Sequence, residues 1–298
     1  MPMQRQRGFT LVELIVVMVV SGIMAGILIV FFRPAFSNYL ASGRRAALSD
    51  MADGAMRRMA RDIRSSVPNS VRQQTDVATG TQYLELVPTI SGGRFRVAPD
   101  TAWDTANSGN PSMALDTNAP GNGFDVLTTL DPMPQANDWV VIGNQDPSDL
   151  FGTATSPPRS ITQIQAIGPA PAAQVGTARI TLTVPAVVPP GYDGGRFVVV
   201  PNGQRAVSYI CQTPGLDAQG TGRGTLFRVS NVNFAATQPM PTPTAADILA
   251  TRVQACTFNY SVNGGGTMDN GLVEITLQLT DQNESITLYY SVHVDNAP

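Results

Sequence analysis

The chain has 298 residues, a formal net charge of −3 and only 14% charged residues. That length leaves room for an apolar anchor plus one large or two small globular units, and the charge gives no reason to expect a polyanion, so no nucleic acid partner is predicted. All 19 basic residues are arginine, which excludes a phosphate-loop lysine, a Schiff-base lysine and every other lysine-dependent chemistry. The 27 glycines and 23 prolines suit a β-rich head with many turns better than a helical enzyme.

Near the start, Gly8-Phe9-Thr10-Leu11-Val12-Glu13 opens an apolar stretch that continues to Phe32. As a helix, Phe9 to Phe32 would be about 36 Å long at a rise of about 1.5 Å per residue, enough for a hydrocarbon core of ~30 Å. A carboxylate at membrane depth costs roughly 2.5 to 3.5 kcal/mol on insertion scales, so it usually has a partner. Cleavage between Gly8 and Phe9 would create an α-amine four residues before Glu13. That amine, with a reference pKa of about 7.7–8.0, is mostly cationic at neutral pH, and Glu13 of one subunit could pair with the amine of its neighbour. An ordinary secretory signal has a shorter apolar core and a small-residue exit, which this stretch lacks. A plain membrane anchor explains the length but not the placement of the acid.

These residues resemble the leader and mature N-terminus of type IV pilins and pseudopilins. The resemblance implies a basic leader, Met1 to Gly8, carrying Arg5 and Arg7. A prepilin peptidase would remove it after Gly8. Phe9 would become the N-methylated terminus and Glu13 the assembly carboxylate. Implied partners are other pilin subunits, the peptidase, an inner-membrane assembly platform and the lipid bilayer around residues 9–33.

Within the span, Gly22 and Gly26 have a small-xxx-small spacing that lets helices approach closely. Pro34 removes a helical hydrogen bond and is expected to kink or break the helix. From Ser42 to Ser66 a second helical pattern follows, with Leu48, Met51, Ala55, Met59 and Ile63 on one stripe. Arg57, Arg61 and Arg64 line another face, open to three readings: lipid headgroups, a neighbouring subunit, or simple solvation. Pro68 closes the helix. Arg5 and Arg7 precede the span while Arg33, Arg44 and Arg45 follow it, so the positive-inside count does not orient the chain.

Beyond Val67 the period changes to two. Candidate strands are Tyr83–Val87, Phe124–Leu130, Trp139–Ile142, Ile161–Ile167, Arg179–Val184, Phe197–Val200 and Ala206–Cys211. The segment from Pro99 to Gly123 lacks apolar periodicity and reads as an exposed or mobile insertion. A Pro-rich segment, Gln238 to Thr244, precedes the final block. There Cys256 to Val262, Val273 to Leu279 and Ile286 to Val294 alternate strictly, divided by Gly264-Gly265-Gly266 and Asp281-Gln282-Asn283. This pattern predicts an antiparallel meander with one buried face. The closing residues Tyr290 to Pro298, with Cys256-x-Phe-x-Tyr and Gly271-Leu-Val-Glu, resemble the C-terminus of minor pilins of the mannose-sensitive haemagglutinin (MSHA) pilus system, its O-type subunit in particular.

Cys211 and Cys256 are most simply one disulfide in an oxidising compartment; two separate buried thiols are the rival reading. His293, the single histidine, alternates with Val292 and Val294 and is expected on the outer face of the sheet. No nucleophile elbow, zinc cluster or dinucleotide loop accompanies it, so no catalytic residue, metal or cofactor is assigned. Gly220 to Gly224 reads as a loop, and Asp146 with Asp149 is a weak calcium candidate.

The expected fold class is α+β, a long N-terminal helix followed by a head with an antiparallel sheet. The expected divisions are a leader at 1–8, a membrane and filament-core helix at 9–33, an amphipathic helix at 34–67 and a periplasmic head at 68–298. The expected function is a non-enzymatic minor pilin, anchored in the inner membrane and later carried into a filament. A type II secretion pseudopilin or a tethered periplasmic adhesin is the alternative.

Overall fold

The computed structural model describes residues 8–116, 119–189, 192, 194–262 and 270–297. The leader up to Arg7 and the Gly264-Gly265-Gly266 turn lie outside them. Helix α1, Leu11–Arg64, is continuous over 54 residues and contains Pro34. The expected break at Pro34 therefore does not occur. A proline deprives the helix of one hydrogen bond and presses on one carbonyl, a local cost that the helix-forming residues on both sides tolerate. Ser37 donates its hydroxyl proton to the Pro34 carbonyl at 2.9 Å. The helix ends where the Ser65 N–H turns back to the Arg61 carbonyl, with Arg61 and Arg64 in the last turn favourably placed against the negative end of the helix dipole.

Up to Leu40 the apolar residues of α1 stand exposed; from Leu48 onward its stripe of Leu48, Ala52, Ala55, Met56, Met59 and Ile63 is fully buried or nearly so. It packs on a seven-stranded antiparallel sheet. In chain order the strands are β1 (Arg72–Thr75), β2 (Gln82–Leu86), β3 (Ser91–Arg94), β4 (Gly121–Val126), β5 (Trp139–Val141), β6 (Ile161–Gly168), β7 (Ala178–Ala186), β8 (Arg196–Val200), β9 (Ala206–Gln212), β10 (Gly224–Val232), β11 (Ile248–Ser261), β12 (Asn270–Asp281) and β13 (Glu284–Asp295). The large sheet has the order β1-β2-β9-β10-β11-β12-β13. Its last three strands form the expected meander, and β12 pairs with β13 without a register shift from Asn270↔Asp295 to Asp281↔Glu284. Val273, Ile275, Leu277, Val292 and Val294 point into the core under α1, while Tyr289 on the other face is 77% exposed.

The head holds a second layer that period-two reading could not separate. Strands β3 to β8 make their own six-stranded sheet, in the order β3-β8-β5-β6-β7-β4. It is inserted between β2 and β9, which are direct antiparallel neighbours. The ends of this sheet meet: the Arg96 N–H donates to the Asp125 carbonyl and the Leu127 N–H to the Arg94 carbonyl. The module thus closes into a small barrel without free edges. Phe95, Phe124 and Phe197 fill it, with ring centroids 5.5 and 5.0 Å apart. Val67, Val87, Val141, Leu150, Phe151, Val200 and Ala206 form the apolar seam between barrel and main sheet.

The described residues of the segment from Pro99 to Gly123 are mostly exposed or half-buried, as expected, but the segment is anchored to the barrel. Helix α2 (Thr101–Ala106) is capped by Asp100, and Leu115 is 1% exposed in the barrel core. Asp125, completely buried, accepts the Met113 N–H at 2.7 Å and a two-pronged contact from Arg179 at 2.7 and 3.1 Å. The tie comes from single residues far apart in sequence, which periodicity does not register.

Candidate functional site

The candidate site is the first turn of α1. Thr10 is the N-cap, in extended conformation, and Glu13 is the third helical residue. The Thr10 hydroxyl accepts the Glu13 N–H at 3.3 Å. In return Glu13 Oε2 accepts the Thr10 N–H at 3.2 Å and the Thr10 hydroxyl proton at 3.1 Å. This reciprocal capping box satisfies two of the orphan donors of the helix start, and the carboxylate lies at the positive end of the helix dipole. The Thr-x-x-Glu spacing of this box stands in the sequence at Thr10 and Glu13. Glu13 thus has a partner within its own helix turn, and Phe9, 83% exposed, precedes the cap.

Above this turn α1 contains a window of mean hydropathy 3.0 with none of it buried in the fold. It is long and apolar enough to cross a membrane. A Cβ built on Gly22 or Gly26 meets nothing within 4 Å, so that flank is open to an approaching helix. Residue 57 lies about 24 residues beyond Arg33, or about 36 Å along a straight helix. The row of Arg57, Arg61 and Arg64 thus lies well along the helix from the apolar stretch, close to the head. Arg57 pairs with Asp53 at 2.8 Å.

The head is locked onto α1 by a buried polar cluster that the sequence reading missed. Asp62 Oδ2 accepts the Tyr209 hydroxyl proton at 2.8 Å and Arg228 Nε–H at 2.8 Å, with Arg228 Nη2 at 2.7 Å. Arg58, one helical turn before Asp62, is more distant at 3.6 Å. Burial first, and then the Asp62 carboxylate, push the Tyr209 phenol far above its ordinary pKa, so it stays a proton donor.

Cys211 on β9 and Cys256 on β11 are brought together with Cα atoms 6.4 Å apart, inside the usual range for a disulfide. They sit where the sheet is split. The pairing of β10 with β11 begins at Gly224↔Val253, so β11 beyond Val253 has no β10 partner. Side chains stand in for that backbone: Gln82 Oε1 accepts the Phe258 N–H at 2.9 Å and Gln73 Oε1 the Tyr260 N–H at 2.8 Å. A covalent link here would close the gap between the two halves of the sheet.

The remaining flagged residues carry no site chemistry. His293 is exposed, as the alternation implies. Asp146 caps helix α3 (Pro147–Phe151) by accepting the Ser148 N–H, and Asp149 is engaged by Arg159. Among the described residues no three His, Cys, Asp or Glu side chains group as metal ligands.

A model of the prokaryotic N-terminal methylation motif matches residues 3–29. No curated protein and no solved structure matches the chain. The motif indicates a type IV pilin-like prepilin and points to a structural subunit rather than an enzyme. The fold agrees: a long apolar helix leads into an antiparallel β head.

Proposed function

We propose that the protein is a minor pilin of a type IV pilus-like filament. Its leader is cut after Gly8, Phe9 is N-methylated, and Glu13 pairs with the N-terminal amine of an adjacent subunit. The observation that carries this reading is the first turn of α1. A capped carboxylate opens a helix whose apolar flank is wholly uncovered by its own fold. Before assembly, residues 9–33 lie in the inner membrane and the head, 68–298, in the periplasm, where Cys211 and Cys256 form a disulfide. In the bilayer the Thr10 cap lowers the cost of the Glu13 charge; on entry into the fibre a neighbour's ammonium replaces hydrogen bonds with an ion pair. The inserted barrel makes the head large, which suits a low-copy position near a tip or initiating complex better than a repeating shaft. The MSHA-like C-terminal block supports a pilus over a secretion pseudopilus. Other pilins, the prepilin peptidase and the assembly platform are its partners.

Mass spectrometry of the mature N-terminus tests the processing: the expected terminus is methylated Phe9, and a functional chain that retains residues 1–8 overturns the reading. Glu13→Ala is expected to reduce incorporation into filaments while leaving processing intact. Filaments that carry the variant at wild-type occupancy refute the pairing. A deletion strain that loses secretion but keeps pili would assign the subunit to a pseudopilus instead.

A further inference from the structure

We propose that the outer edge of β13, overhung by Arg57, Arg61 and Arg64 of α1, is a docking site for an extended acidic segment of another polypeptide, which adds to the large sheet as one more strand. The inference goes beyond the filament reading and does not depend on it. A sheet edge presents a row of unpaired N–H and C=O groups, and proteins blunt such edges with short strands, bulges, prolines or charges. The edge at β1 follows that rule: it has only four residues, and its Gln73 side chain is engaged by the Tyr260 N–H. The edge at β13 does not. This last strand of the sheet runs over 12 residues, without a proline and without a register shift against β12. Its only acids, Glu284 and Asp295, stand at its two ends, and Glu284 is held by Arg45. Among the described residues no backbone group outside β12 bonds to Ser285 through Val294. Alternate residues of an antiparallel pair turn their N–H and C=O away from the partner strand, so about half of β13 offers these groups outward.

The helix beside this edge sets the charge. Arg45 meets Glu284 at the start of β13, and farther along Arg57, Ala60, Arg61, Arg64 and Ser65 line a groove with Tyr290, so α1 and β13 run the same way. Arg57 is paired with Asp53. Arg61 and Arg64 are exposed and pair with no carboxylate among the described residues, and none lines the groove. At 3.6 residues per turn Asp50 and Asp53 fall on the same helix face, but nearer the apolar span. The unanswered positive charge is therefore confined to the stretch beside Tyr290, whose hydroxyl adds a further donor.

Edge and arginines together select the occupant. A strand laid beside β13 directs alternate side chains to the face where Tyr290 and the arginines stand, about 6.5–7 Å apart. Along the helix axis Arg57 to Arg61 is about 6 Å and Arg61 to Arg64 about 4.5 Å. Acidic residues at i and i+2 of the added strand thus fall beneath the row, while its backbone continues the ladder, the strand-addition mode of peptide recognition. A second copy of this chain does not fit. Antiparallel pairing of β13 with its own copy would point the two apolar spans in opposite directions, and β13 has no acid between its ends to meet the arginines. The occupant is a different polypeptide with acids at alternate positions.

The test uses the full chain in detergent and a fluorescent peptide, Thr-Glu-Val-Glu-Val-Glu-Thr, blocked at both ends. Its anisotropy is expected to rise saturably, and a peptide with glutamine in place of each glutamate should bind about tenfold more weakly, as the loss of two exposed ion pairs implies. The double variant Arg61→Gln with Arg64→Gln should weaken the parent peptide by the same factor, with its circular dichroism unchanged. In a strand the N–H groups of the glutamates point to one side and those of the valines to the other. Of two peptides N-methylated on one set or the other, one should therefore keep its affinity and the other lose it. An absent or unsaturable signal, equal affinity of the two methylated peptides, undiminished binding by the glutamine peptide or to the arginine variant, or saturation by dioctanoyl phosphatidylglycerol in place of the peptide would overturn the proposal.

Discussion

Replacing Asp62 by alanine should unfasten the head from its helix. The carboxylate is buried, with a side chain 10% exposed against an Arg228 that is 13% exposed, and its other donor, Tyr209, is completely buried. Asp62→Ala leaves a guanidinium and a phenol stranded together. Removing one member of a buried ion pair costs about 3–5 kcal/mol, against a total stability of about 5–15 kcal/mol for an ordinary domain. Tyr209→Phe removes one hydrogen bond to a charged group but keeps the ion pair, and should cost about 1.5–3 kcal/mol. Replacing both ions with apolar residues, Asp62→Leu with Arg228→Met, should cost less than Asp62→Ala alone, because no uncompensated charge remains. Urea unfolding of the full chain in mild detergent, followed by near-ultraviolet circular dichroism, measures all three. The pH dependence supplies a further check. Tyr209 is raised above its unfolded pKa, so the stability it confers is complete below about pH 10 and declines as pH rises beyond that value. A loss under about 1 kcal/mol in Asp62→Ala, or a double variant that costs as much as the sum of the two single ones, refutes the latch.

Two other outcomes follow from the geometry. Cys256→Ala should lower stability by about 3–4 kcal/mol if the pair is oxidised, the chain-entropy value for a loop of this size; intact mass before and after reduction should differ by two hydrogens in the parent and not in the variant. Glu85, wholly buried, has its pKa raised by burial, opposed by the hydrogen bond and charge of Arg72. A raised carboxyl binds protons more readily folded than unfolded, so its contribution grows as pH falls through the folded pKa and levels off below the ordinary carboxyl value. Stability of the parent relative to Glu85→Gln should therefore improve on acidification from neutral pH. A flat or opposite difference between the two curves contradicts the assignment.

Most strands were legible because a half-buried strand must alternate. The seven single candidates from Tyr83–Val87 to Ala206–Cys211 coincide with β2 and β4 to β9 within a few residues, and the final meander is present in its expected order. Strands β1, β3 and β10 were not. Arg72–Thr75 and Ser91–Arg94 are short, polar or glycine-bearing, and β10 carries register shifts against β11. Such strands take their shape from neighbours rather than from their own pattern.

The N-terminal turn is local chemistry. Thr10, Glu13 and the apolar run lie within one short segment, so the helix, its cap, its need for a membrane or other helices, and the processing motif follow from the chain alone. Which strands divide between the open sheet and the closed barrel, that α1 runs through Pro34, and that Asp62 meets Tyr209 and Arg228 were decided only by the tertiary structure. The strand division and the Asp62 cluster depend on contacts between residues tens to more than a hundred positions apart, and periodicity records which face of an element is apolar but not which distant surface will cover it; the passage through Pro34 is a local balance between one lost hydrogen bond and the helix formers around it.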